Sequence, residues 1–144
     1  MTEKQIELVK TSWTIISGVS PELLGDVFYS KLFLHNPQLR HMFPKSMDEQ
    51  YKKLMDMLSV IVIRLERQEE LKADIVQMAK RHAGYGVKPA HYKMVGDALL
   101  WTLQQGLGRD WNENVKDAWE VYYQELSTTM INAAGYTSQE LMKS

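Results

Sequence analysis

Apolar residues recur at three- and four-residue steps along almost the whole chain, and that period leaves little choice of fold. Ile6, Val9, Trp13 and Ile16 make one stripe. Leu24, Val27 and Phe28, running on into Leu32 and Phe33, make a second. Tyr51, Leu54, Met55, Leu58, Ile61, Val62 and Leu65 make a third, and Leu71, Ile75, Met78 and Ala79 a fourth. Two more follow, through Tyr92, Val95, Leu99 and Leu103 and through Val115, Ala118, Trp119, Tyr122, Leu126 and Met130. Strand-like alternation does not persist anywhere. The expected class is all-α.

Start and stop signals bound these stripes. Thr2 with Gln5 three residues on reads as a capping box, and Gly18 closes the first helix. Ser20-Pro21 opens the second, with serine as cap and proline at the first helical position. Asn36-Pro37 restarts the chain as a short helical turn through Phe43-Pro44, and Ser46 with Glu49 reads as a second capping box. The sequence Gly84-Tyr85-Gly86 stops the fourth helix, Gly106 and Gly108 the fifth, and Asn112 caps the last. Short corner helices among longer ones favour crossed packing around a pocket over an up-down bundle.

The chain of 144 residues reads as one domain, residues 1–144, long enough for a substantial core. A net charge of −1 gives no electrostatic case for nucleic acid or an anionic membrane. Cysteine is absent, which removes a disulfide framework, a thiolate nucleophile and a cysteine zinc site, and fits a reducing cytoplasm. Met1 to Gln5 lacks the apolar core of a signal peptide, and the apolar run Val60 to Ile63 is far too short to cross a bilayer. A soluble cytoplasmic protein, monomeric or weakly homo-oligomeric, is expected.

His82 is the residue that carries chemistry. It ends the fourth stripe on the apolar face, so its imidazole is directed inward and needs a partner. That partner is either a hydrogen-bonding group or a metal on the free ring nitrogen. Around it lie Phe28-Tyr29, Asn36-Pro37, His41-Met42-Phe43-Pro44 and Glu49-Gln50-Tyr51-Lys52-Lys53-Leu54 upstream, and Tyr92, Val95-Gly96, Leu99-Leu100 and Ala118-Trp119 downstream. In order and spacing this set resembles the globin family from about Gln5 to about Ala133. It looks most like single-domain bacterial globins and the heme domain of flavohemoglobins, and more distantly like neuroglobins.

The resemblance implies a globin fold of crossed helices around a heme b (iron protoporphyrin IX). His82 would be the proximal iron ligand, its second ring nitrogen donating to a carbonyl near Met78. Met78 and Val87 would pack under the proximal face, and Phe43 would stack on the porphyrin. Tyr29, Gln50 and Leu54 would form the distal wall, Leu54 limiting space and the other two donating to a gas that carries partial negative charge. Each such bond contributes roughly 1–3 kcal/mol in a dry pocket. Gln50 stands where animal globins place a distal histidine. The implied ligands are O2, NO and CO, with high O2 affinity.

Tyr92 matches a tyrosine that flavohemoglobins place behind the proximal histidine, where a glutamate completes a relay. Here the matching position in the last helix is Ala134; Ala133 and Gly135 cannot substitute, and Glu140 lies too far along. This departure weakens the case for efficient NO dioxygenation, which would also require a separate reductase because no flavin or nicotinamide domain accompanies the globin-like stretch. Lys53 and Arg81 are candidates for the heme propionates, with plain surface charge as the competing reading. His35, His41 and His91 are expected outside the pocket. A third reading, a heme-based or heme-free sensor or interaction module, is disfavoured by the presence of His82, Phe43 and the Tyr29/Gln50 pair together.

Overall fold

A computed structural model describes residues 1–63, 65 and 67–136; the side chains of residues 68–71 lie outside it. Six α-helices follow one another: α1 (Glu3–Ile16), α2 (Pro21–His35), α3 (Asp48–Ile63), α4 (Gln68–Gly84), α5 (Pro89–Leu107) and α6 (Glu113–Ala133). Single 3₁₀ turns at Pro37–Met42 and Gly108–Asp110 form the corners. No strand occurs among the described residues, so the all-α expectation holds. No described helix is long and apolar enough to cross a membrane.

Local signals place most helix ends. Thr2 accepts the Gln5 N–H at 3.1 Å while the Gln5 side chain accepts the Thr2 N–H at 2.9 Å, completing the capping box. Ser20 and Asn112 cap α2 and α6 through the N–H groups of Leu23 and Val115. Two boundaries differ from expectation. α3 begins at Asp48, and the Tyr51 N–H bonds the Met47 carbonyl, so Met47 rather than Ser46 stands at the cap. Gly106 does not end α5, which continues to Leu107 and closes at Gly108 with φ +52°. A Cβ on Gly106 would lie 2.4 Å from the Ile16 Cδ1, so this glycine serves the approach of α1. Leu71, read as part of the fourth stripe, has a side chain outside the described set.

The helices cross rather than run side by side. α1 packs on α6, α2 crosses both α3 and α5, and α4 lies on α6. Val9, Trp13, Ile16, Val62, Leu103 and Trp119 are among the buried residues of the main core. Each fully buried side chain of this size contributes about 1.5–3 kcal/mol. Two smaller clusters flank that core, one around Phe28, Tyr29 and Leu32, the other around Met78, Ala79, Tyr92 and Met130. They form the two sides of the site.

Candidate functional site: a histidine on α4 and a tyrosine–glutamine pair between α2 and α3

The first side is built where α2 crosses α3. A Cβ on Gly25 would meet the Tyr51 Cβ at 2.5 Å, so only glycine lets the helices come this close. One turn beyond Gly25 stands Tyr29, and one residue before Tyr51 stands Gln50. The close crossing therefore brings these two together, and the Gln50 amide Nε2 donates to the Tyr29 hydroxyl at 3.0 Å. Tyr29 is buried among rings: Phe28 at 4.8 Å, Phe43 at 5.4 Å edge-on, and Tyr51 stacked at 5.9 Å. Burial pushes the Tyr29 phenol up, with the Gln50 bond only partly offsetting it. Tyr29 is thus a neutral phenol whose oxygen accepts from Gln50, leaving its own proton to donate elsewhere.

Phe43 reaches this cluster from the corner after the 3₁₀ turn, at 5.4 Å from Phe33. Arg40 holds that corner, donating to the carbonyls of Phe43 at 3.3 Å, Pro44 at 3.0 Å and Lys45 at 3.0 Å. Leu54, one turn after Gln50 on α3, is half-buried and packs against both the ring cluster and the main core.

The opposite side is built on α4. His82 is half-buried, and its Nδ1 bonds the Met78 carbonyl at 2.7 Å. A carbonyl only accepts, so Nδ1 is the protonated nitrogen, and Nε2 is the one the neutral ring offers to a metal. Met78 and Val87 share an apolar cluster with Tyr92. A cavity of about 330 Å³ opens between α3 and α4, lined by Asp56, Met57, Val60 and Ile61 on one side and Asp74, Ile75, Gln77, Met78 and Arg81 on the other; of the expected site residues only Met78 and Arg81 line it. Arg81 lies at this cleft and is exposed; Lys53 is exposed on α3. His35 and His41 are exposed, and the His91 Nδ1 accepts the Lys88 N–H at 3.0 Å as a cap of α5.

The donor set suits a heme: an imidazole whose Nδ1 is held by a carbonyl, so that Nε2 is the ring nitrogen left for iron, an apolar cluster around Met78 on that side, and a part-buried hydroxyl–amide pair where α2 crosses α3. Sequence reasoning missed three contributors. Arg40 and Gly25 act through tertiary contact and leave no local signal. Tyr136 lies beyond the last helix, where its hydroxyl donates to the Val87 carbonyl. Ala134, the position matching the relay glutamate, is the C-cap of α6. Glu140 lies outside the described residues.

Known proteins agree with this reading. The chain is 25% identical to the flavohemoprotein of Vibrio cholerae over 94% of its own length, spanning only 35% of that protein. It is 30% identical to a globin-like protein of Aquifex aeolicus, covering 91% of this chain and 92% of that one. The structure of a bacterial globin from Campylobacter jejuni superposes with a TM-score of 0.80 at 25% identity, over 99% of this chain and 100% of that one. Residues 26–130 carry the sequence profile of the family described as Globin. With that match across most of the chain, and a fold and cleft to go with it, the protein belongs to the globin family, whose members bind heme and, through it, gaseous ligands.

Proposed function

We propose that this chain binds heme b with His82 Nε2 as the proximal ligand, and holds O2 with high affinity through Tyr29 and Gln50. The observation that carries the reading is the bond from the Gln50 amide to the buried Tyr29 hydroxyl. It fixes the phenol's acceptor side, so the phenol proton is available to a small polar guest. When bound, heme iron supplies the coordination position at which a diatomic gas is held. The protein does the rest. Met78 orients His82, Phe43 and Leu54 would shape and dry the pocket, and Arg81 and Lys53 would pair with the propionates. Tyr29 donates to the gas, and Gln50 aims Tyr29, with one amide N–H left over. Carbon monoxide is less polar than O2 and gains less from the same donors.

The test is direct. Hemin added to the purified protein produces a Soret band, and His82→Ala abolishes it. Tyr29→Phe speeds O2 release about tenfold or more in stopped-flow dissociation, corresponding to roughly 1.4 kcal/mol or more of lost stabilisation. An unchanged rate defeats the distal assignment.

NO dioxygenation with a separate reductase is the second reading, supported by likeness to a flavohemoprotein. It ranks lower because the group acting on the Tyr92 hydroxyl is the Tyr136 phenol rather than a carboxylate. Repeated nitrate production from O2 and NO, with a reductase supplied, would reverse that ranking.

A further inference from the structure

Two oppositely charged side chains share a pocket where α2 crosses α5, and they do not pair. Lys31 and Asp97 line a cavity of about 310 Å³, with His35 and Asn36 beside them. Leu32, Met94 and Ala98 supply its apolar lining. The volume falls in the range of small-molecule sites, which join an apolar lining to a few convergent polar groups. We propose that this pocket binds a free amino acid with an aliphatic side chain, its carboxylate at Lys31 and its ammonium at Asp97.

The apolar floor is fixed before any ligand arrives. Leu32 and Ala98 are buried, and both belong to the cluster that includes Phe28 and Tyr29. Met94 is half-buried against the same cluster. Ordering a site is one of the main costs of binding, and here little remains to be ordered. Three apolar side chains suit an aliphatic tail and offer a polar one nothing to bond.

The charges are held apart. The Lys31 ammonium lies 4.5 Å from the centre of the Trp101 ring, one turn along α5 from Asp97. Neither Lys31 nor Asp97 forms an ion pair among the described residues. This arrangement selects against simpler guests. A lone carboxylate would face Asp97 as a like charge, and a lone amine would face Lys31. No three metal-ligating side chains come together among the described residues, and Lys31 repels a cation. A zwitterion meets both charges at once. Two neighbours fit the same polar head. The Asn36 amide Nδ2 donates to the Leu32 carbonyl at 3.1 Å, which leaves Oδ1 as the atom that can accept from an ammonium. His35 stands in the last turn of α2, where the negative end of the helix dipole also favours an ammonium.

The test uses the purified full chain and L-leucine. Amide chemical shifts should change saturably at Lys31, Leu32, Asp97 and Ala98, with a Kd below about 10 mM. The compound 4-methylpentanoate lacks only the amine, and 3-methylbutylamine lacks only the carboxylate. Each should bind about tenfold more weakly than leucine, or worse. Asp97→Asn should weaken leucine about tenfold while leaving 4-methylpentanoate unchanged or tighter. Lys31→Gln should weaken leucine as much while leaving 3-methylbutylamine unchanged or tighter. Asp97 is exposed and Lys31 only half-buried, so both variants should keep the parental Tm. No saturable change with leucine, or changes that map elsewhere, would overturn the site. Equal binding of all three compounds would overturn the zwitterion and leave only an apolar contact. None of these measurements depends on heme, so the failure of either reading leaves the other standing.

Discussion

The main core, where α1 packs on α6, and the residues of the candidate site solve opposite problems. In the first, buried polar groups close on one another. The Trp119 indole N–H donates to the Ser12 hydroxyl at 2.8 Å, and Ser12 in turn donates to the Leu8 carbonyl at 2.7 Å. The Tyr122 hydroxyl donates to the Ile61 carbonyl at 3.1 Å. Outside that core, by contrast, the His82 Nε2 and the Tyr29 proton have no partner in the bonds described, and the Tyr92 hydroxyl is buried without a well-formed bond. A closed network specifies a fold. An open one is a demand for a partner, and these open groups lie outside the main core, on α2, α4 and α5.

That contrast is sharpest in a pair of substitutions. Trp119→Ala should cost the protein about 3–5 kcal/mol, because it removes a fully buried indole and leaves Ser12 short of a donor. His82→Ala should cost about 1 kcal/mol or less in the heme-free protein, since it removes one bond to Met78. Urea unfolding of both heme-free variants checks this. If His82→Ala proved the more damaging, the histidine would be a structural core residue and the division between the two halves would fail.

Gly25→Ala probes the α2–α3 crossing that brings Tyr29 and Gln50 together. Its methyl would lie 2.5 Å from the Tyr51 Cβ, so α3 must move off α2. A loss of roughly 1–3 kcal/mol is expected from overpacking. The Tyr29–Gln50 bond should be lost with it, because the same crossing sets that distance. In the heme-loaded protein the variant should release O2 faster than the parent while the Soret band persists. A stable variant with parental O2 release would show that the crossing does not govern the distal wall.

The sequence makes legible what is local and periodic. The stripes, the Thr2, Ser20 and Asn112 caps and the inward His82 all follow from spacing within one or two turns. Even the Met78 carbonyl is a near neighbour on its own helix. What it hides is whatever depends on a second helix. Gly106 reads as a helix stop because glycine usually is one, yet its reason is the Ile16 methyl of α1. Arg40 reads as surface charge, yet three carbonyls of the Phe43 corner close on it. Counting residues from Trp119 finds Ala134 at the glutamate's place; α6 ends one residue earlier, and the chain beyond Gly135 brings the Tyr136 hydroxyl to the Val87 carbonyl, which counting along one helix cannot foresee.

The smallest effect expected belongs to His91, which lies outside the cleft and tests whether pH acts on the scaffold apart from the site. Its Nδ1 accepts the Lys88 N–H at the start of α5, a bond that only the neutral ring can make. Burial, and then the Lys88 charge, hold its pKa below the ordinary histidine value. The unfolded chain therefore takes up this proton more readily than the folded one. The stabilisation is fully present above an unfolded pKa of about 6.5 and is lost as pH falls through the lower folded value. His91→Asn keeps an acceptor at the cap and removes the titration. Between about pH 7.5 and pH 5 the heme-free parent should lose roughly 1–2 °C more in Tm than this variant. Equal losses would mean that the cap does not sense the proton, and that the pH response of the fold lies with other groups.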